Sequence, residues 1–295
     1  MVRQRYYPLF AGILWGTAYP SLQIVLKSFT PTQVVLFRVV LGTVFLGGVL
    51  AVTYGRESFA ISRSQLLPLT ALGWTSVALF YLLQTVAVQY STPVNVSFII
   101  STYPMFVSVA APLLLSTRVK LTDAVGLSVA VIGVYIIVGD GRIINLFDSP
   151  TIIGDLLAFG GSLSFMTYLL LTRHWNERLN IDYLSLTFFA HLLSIPPLAV
   201  FFIFSGEIAP TTATAPSVLM LGYLAIVVTG CGLLLLNAGL EQTSAPVAAL
   251  RLLVIPLVST LLSVVILGEP LTVPKIVGGV AISTGIILQA VFSEN

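Results

Sequence analysis

Apolar residues run along this chain in long blocks broken by short polar turns, not at the spacing of a helix or strand with one face in water. A bilayer-crossing helix takes about 20 mostly apolar residues. Ten such spans are expected, at 8–26, 32–53, 66–89, 94–115, 122–139, 153–172, 183–205, 216–239, 246–267 and 273–292. Ser64 to Thr117 carries no charge and is too long for one helix, and the turn Tyr90-Ser91-Thr92-Pro93 divides it. Ile208 to Leu240 is also uncharged, with Pro216 as the expected start of its helix.

The pattern repeats. The stretch from Leu82 to Val138 lays over that from Leu235 to Leu288, so that Gln84 meets Asn237, Gln89 meets Gln242 and Pro93 meets Pro246. After a one-residue slip near Pro104 and Pro256, Ser116 meets Gly268, Gly126 meets Gly278 and Gly133 meets Gly285. Two five-span units are therefore expected, 1–140 and 153–295, joined by an outer loop at 141–152. Five is an odd number, so span 6 enters the membrane from the side opposite span 1. The halves are then inverted around a central cavity, an all-α ground plan of secondary transporters.

Composition strengthens the membrane reading. Hydrophobic residues make up 57% and charged residues 8%, where a soluble chain carries roughly a quarter charged. Mean hydropathy is +1.03. Lys and Arg set orientation by their excess on the cytoplasmic side. With the N-terminus inside, that side receives Arg3, Arg5, Arg56, Arg63, Arg118, Lys120, Arg173 and Arg178, against Lys27, Arg142 and Lys275 outside. Both termini are expected to be cytoplasmic. Met1 to Gly16 has early positive charges but no small-residue cleavage site after it, so it is taken as the start of span 1 rather than a signal peptide. A net charge of +2 without a basic cluster gives no reason to expect nucleic acid. The single Cys231 lies in an apolar run, and no metal or cofactor motif is present. The expected partners are the lipid bilayer and a small-molecule substrate, and a monomer is plausible.

Gly268-Glu269-Pro270-Leu271-Thr272, followed by Gly278-Gly279 and Gly285, resembles the C-terminal signature of the EamA domain. Such domains occur in pairs in the drug/metabolite transporter superfamily. The resemblance extends to Gly12-Ile13-Leu14-Trp15-Gly16 and to the Pro31–Arg38 entry of span 2. It implies ten helices in two inverted units and export of amino acids or other small metabolites from the cell across its inner membrane. The first repeat departs from the pattern, with Thr117-Arg118 in place of the Gly-Glu turn. Length and aromatic content are similar to the YddG-type amino-acid exporters within the family.

Ionisable residues inside a membrane usually face a cavity or a partner. Arg38, in span 2, is expected to snorkel to the outer interface, with coupling or gating as the alternative. His191, in span 7, is expected to be a neutral imidazole bonded to a neighbouring helix, with a proton or substrate role as the alternative. Arg251, in span 9, either holds a substrate carboxylate or pairs with Glu241. No Asp or Glu falls at mid-span. A proton-coupled antiporter of cationic drugs needs such a group, so neutral or zwitterionic substrates are favoured, with facilitated diffusion as the default mechanism. A multidrug or nucleotide-sugar carrier is the alternative. Mid-depth aromatic and weakly polar residues form the expected cavity: Trp15, Thr17, Tyr19, Tyr81, Gln84, Ser101 and Tyr103 in the first half, Ser164, Tyr168, Thr229 and Asn237 in the second. Pro20, Pro104 and Pro256 are expected to break helix ladders within the membrane. Glu269 is expected to cap the N-terminus of span 10. Without a nucleophile, metal or acidic-pair motif, an enzyme is not expected.

Overall fold

The computed structural model describes residues 6–113, 120–142, 149–206, 213–240 and 251–292, and among these it is helical with no strands. Ten principal elements follow one another: α1 (Tyr7–Val25), α2 (Pro31–Tyr54), α3 (Arg63–Tyr90), α4 (Pro93–Ala110), α5 (Leu121–Val138), α6 (Ile152–Leu179), α7 (Tyr183–Ser205), α8 (Ala215–Leu240), α9 (Val254–Leu267) and α10 (Val273–Phe292). Seven helices, α2 to α8, are long and apolar enough to cross a membrane. The three other expected spans correspond to α1 and to the shorter apolar stretches Val254–Leu267 and Val273–Leu288. The turns expected at Thr117-Arg118 and Ser244-Ala245-Pro246, and the residue Glu241, lie outside the described residues.

Local signals set the helix starts. Thr30 and Gln33 form a reciprocal capping box ahead of α2, with Pro31 in its first turn. The side chain of Thr92 accepts from the amide of Asn95 at the start of α4, and that of Asp182 from the amide of Ser185 at the start of α7. Gly206 and Gly268 close α7 and α9 with φ of 67°, a left-handed conformation that suits glycine.

The distribution of side chains is that of a bundle made for lipid. Large apolar residues point outward, with Val52 89% and Phe204 85% exposed. Small hydroxyl residues such as Thr85, Ser97, Ser162, Thr187, Ser194 and Ser259 are fully buried. Most of them bond a carbonyl or hydroxyl of a helix: Ser97 to Val94, Ser194 to His191, Ser162 to Thr102.

Glycines let helices approach closely, the means by which packing replaces hydrophobic drive in a bilayer. A methyl at Gly133 of α5 would stand 2.6 Å from the carbonyl oxygen of Gly278 in α10, and one at Gly278 the same distance from that of Gly133. The α5–α10 pair shares a core with α4, through Phe98, Met105, Ile137, Ile282 and Ile286. Gly12 and Gly16 of α1 pack in the same way on Val254, Ile255 and Val258 of α9.

Two features interrupt the regular helices. Both α3 and α8 contain a π-helical stretch, Gly73–Ala78 and Leu224–Cys231. In the register that lays Gln84 on Asn237, the two stretches overlap, and Thr75 falls on Val228. Each of these carbonyls is taken by a helix from the other half: Trp15 Nε1 donates to Val228 at 3.0 Å, and Ser164 Oγ to Thr75 at 2.9 Å. Meanwhile α4 breaks at Ser101-Thr102 and restarts with Pro104 in its first turn. Pro256 lies in the first turn of the described α9, just after a break at Leu253. Helix α1, by contrast, runs on through Pro20; the expected break there is only the loss of one backbone donor.

The end of the bundle away from the termini is tied by polar contacts. Ser91 Oγ donates to Asp155 at 2.5 Å, Thr151 Oγ1 to the same carboxylate at 2.6 Å, and Thr272 Oγ1 to Asp140 at 2.9 Å. Glu269 pairs with Lys275 at 2.9 Å and accepts from the amide of Val94 at 3.4 Å. Glu269 therefore meets the N-terminus of α4 as well as Lys275 in the first turn of α10, because its carboxylate reaches across the bundle to the first amide after Pro93.

Overpacking a close helix contact costs about 1–3 kcal/mol. Gly278→Val is expected to lower the melting temperature of the detergent-purified protein clearly, by thermal unfolding. Gly48→Ala, where an added methyl meets nothing within 4 Å, is expected to leave it unchanged.

Candidate functional site

A cavity of about 50 Å3 lies where the interrupted helices meet. That is room for a few water-sized groups, at roughly 10–15 Å3 each. A larger solute needs its walls to move apart. The walls come from both halves: α1 supplies Trp15 and Tyr19, α2 Arg38, α3 Ser76, Phe80, Tyr81 and Gln84, and α4 Ser101 and Tyr103. From the second half, α6 supplies Phe165 and Tyr168, α7 His191, α8 Leu233 and α9 Ile255.

Arg38 is the charged centre of this wall. It is 2% exposed, so it does not snorkel. Nε donates to Thr229 Oγ1 at 2.8 Å and Nη1 to Gln84 Oε1 at 3.1 Å, and the guanidinium lies 4.4 Å from the centre of the Tyr81 ring. These partners come from α8 and α3, so one side chain joins three helices and both halves. An arginine stays charged in proteins, and Thr229, Gln84 and Tyr81 are all neutral. Among the described residues no Asp or Glu lines the cavity.

His191 stands beside it. Its Nδ1 is 2.8 Å from the carbonyl of Thr187, one turn back on its own helix, and a carbonyl can only accept. That contact puts the proton on Nδ1 and leaves Nε2 to face the Tyr81 hydroxyl at 3.5 Å. The expected imidazole bonded to a neighbouring helix is present through Tyr81, and its shorter bond is to its own backbone.

An aromatic cluster builds much of the remaining wall. Phe165 is its hub, with ring centres 4.7 Å from Tyr103, 5.0 Å from Phe80, 5.8 Å from Trp15 and 5.9 Å from Tyr168. Two polar groups in the lining have no hydrogen-bond partner among the described residues: Ser101 Oγ and Tyr103 hydroxyl. Ser101 is presented by the break in α4 that precedes Pro104, so the proline acts on the site through the backbone.

Nine of the expected residues thus meet in one place: Trp15, Tyr19, Arg38, Tyr81, Gln84, Ser101, Tyr103, Tyr168 and His191. Thr17, Pro104, Ser164, Thr229, Asn237, Arg251 and Pro256 are not among the residues lining the cavity. Asn237 donates to Thr187 Oγ1 at 3.0 Å and ties α8 to α7. Arg251 lies 5.1 Å from the Tyr6 ring at the end of the bundle. Pro256 is near the start of α9. Phe165, Phe80 and Ser76 were missed. Phe165 precedes Tyr168 by three residues, which places both on one helix face. In the repeat register Ser76 falls on Thr229 and Phe80 on Leu233.

The sequence profile of the EamA-like transporter family matches residues 6–139 and 152–291. The chain is 26% identical to an uncharacterized transporter of Archaeoglobus fulgidus, over 94% of this chain and 93% of that one. It is 22% identical to the uncharacterized transporter YyaM of Bacillus subtilis, over 94% and 90%. A solved crystal structure superposes with a TM-score of 0.69 at 15% identity, covering 98% of this chain and 97% of that chain, a likeness of fold alone.

Losing the Asn237 bond removes roughly 0.5–1.5 kcal/mol without touching the cavity. Asn237→Ala is expected to lower thermal stability while the Kd for a transported solute stays within twofold. Gln84→Ala is expected to shift that Kd at least fivefold, by titration of the purified protein.

Proposed function

This chain belongs to the EamA-like transporter family, and on that premise we propose that it exports small neutral metabolites, most fittingly amino acids with apolar or aromatic side chains, by alternating access. It is a membrane transporter and not an enzyme. The observation that carries the substrate reading is the wall itself: Trp15, Phe80, Phe165 and Tyr168 are packed ring against ring, beside a few hydrogen-bonding groups. An apolar pocket with a few placed polar groups binds compact solutes with one polar end.

The proposed arrangement is ten crossings in two inverted units, 1–140 and 153–295, with both termini in the cytoplasm and the chain in the cell's inner membrane. The exchange of contacts between halves supports it, because Trp15 and Ser164 bond equivalent carbonyls in the opposite unit. Breaks at Ser101-Thr102 and before Val254 supply bending points in equivalent helices. Transport is facilitative in this reading. Among the described residues no carboxylate lines the cavity to exchange a proton, and His191 holds its Nδ1 proton on a backbone carbonyl.

Uptake of labelled amino acids into proteoliposomes tests this. Phenylalanine, methionine and threonine are expected to give saturable flux above empty liposomes, with lysine and glutamate at least tenfold slower. An imposed pH gradient is expected to leave the phenylalanine flux unchanged. Absence of flux for every neutral amino acid would contradict the substrate reading, and flux that follows the pH gradient would contradict the facilitative one.

A further inference from the structure

We infer that the cavity is a carboxylate site: the guanidinium of Arg38 receives the carboxylate of the solute, and an amino group on the solute is not required. This inference rests on reading the cavity as the transport site, and it shifts the substrate class from neutral metabolites in general to compact organic monocarboxylates, of which zwitterionic amino acids are the neutral kind.

Three observations converge on it. The first is charge. Arg38 is almost wholly buried, and it meets a threonine hydroxyl, an amide oxygen and an aromatic face. A buried charge is usually paired, and a guanidinium offers five donors in a fork that suits a carboxylate. Two of those donors go to Thr229 and Gln84. The second is the pair of orphaned groups. Ser101 Oγ and Tyr103 hydroxyl, each 4% exposed, line the same cavity with no partner among the described residues. Both can donate to a carboxylate oxygen. Buried polar atoms without partners are rare and point to something missing. The third is what the wall lacks: with no Asp or Glu among the described lining residues, an ammonium meets no opposite charge there. It meets ring faces, the weaker kind of contact.

The remaining body of the solute then lies against the rings around Phe165. A phenylalkyl carboxylate satisfies every element of this description, and the same chain with an amine in place of the carboxylate does not.

The test is thermal shift and calorimetric titration of the purified full chain with three probes: 3-phenylpropionate, phenylalanine and phenethylamine. Stabilisation by the first two with comparable Kd, within about tenfold, and none by phenethylamine is the expected result. Arg38→Gln is expected to weaken 3-phenylpropionate at least tenfold, the scale of losing a charged hydrogen bond. Arg38→Lys, which keeps the charge on a different shape, is expected to fall between. Should Arg38→Gln fail to fold, the three-probe series on the wild-type chain and on Arg38→Lys decides. Binding of phenethylamine as tight as 3-phenylpropionate, an Arg38→Gln variant with unchanged affinity, or no binding of any probe would overturn the inference. Its failure is separable from that of the transport reading. Phenylalanine uptake that phenethylamine inhibits as well as 3-phenylpropionate does removes the carboxylate site and keeps the transporter. Arg38-dependent binding of 3-phenylpropionate without phenylalanine uptake keeps the site and removes the amino-acid export.

Discussion

A single guanidinium buried in an apolar bundle is the constraint around which the centre of this protein is arranged. An arginine at mid-membrane costs about 2.5–3.5 kcal/mol on insertion scales, so it persists only where neighbours compensate. Here the compensation is spread over three helices: Thr229 from α8, Gln84 from α3, and the face of Tyr81. Each partner is weakly polar and neutral. The charge is solvated well enough to stay, and it remains uncancelled by any acid among the described residues of the cavity wall.

The second condition is that regular helix gives way where the halves meet. A π stretch rotates the helix face beyond it and leaves backbone groups for other partners. Such a stretch occurs in both α3 and α8, and each hands a carbonyl to the opposite half. The break in α4 before Pro104 does the same at another depth, turning Ser101 into the cavity. The far end of the bundle is held by a different chemistry: the Asp155 and Glu269 carboxylates receive donors from the α3–α4 turn and the start of α4. Those contacts join the two units directly. Alternating access in the proposed sense requires them to part while the glycine-packed α5–α10 pair stays together.

Much of this was legible in the residue pattern. Block length placed most described helices to within a few residues, since apolar runs and proline or threonine caps are local signals. Span 6 ran longer than expected, to Leu179, because its last turns are polar and extend past the apolar block. Most of the cavity was legible too, through mid-depth aromatic and hydroxyl residues matched between repeats. Arg38 was misread because its position along the helix says nothing about which face it occupies; tertiary contacts with Thr229 and Gln84 decide that. Asn237 and Arg251 were drawn into the expected cavity by symmetry and charge, yet one ties two helices together and the other lies by Tyr6. Phe165 was overlooked as an ordinary apolar residue. Its role comes from four rings on three other helices and its own, which no single segment reveals. Glu269 was expected at the start of α10, and its carboxylate also reaches the start of α4, a helix distant in sequence.

In the proposed cycle this cavity is the place where a solute meets first one side of the membrane and then the other. The most direct measurement is labelling of a single cysteine, Ser101→Cys in a Cys231→Ala background, by a membrane-impermeant thiol reagent added from either side of oriented vesicles. The account predicts labelling from both sides, slowed in each case by a saturating concentration of phenylalanine. Labelling from one side only, or labelling that the solute leaves unchanged, would contradict it.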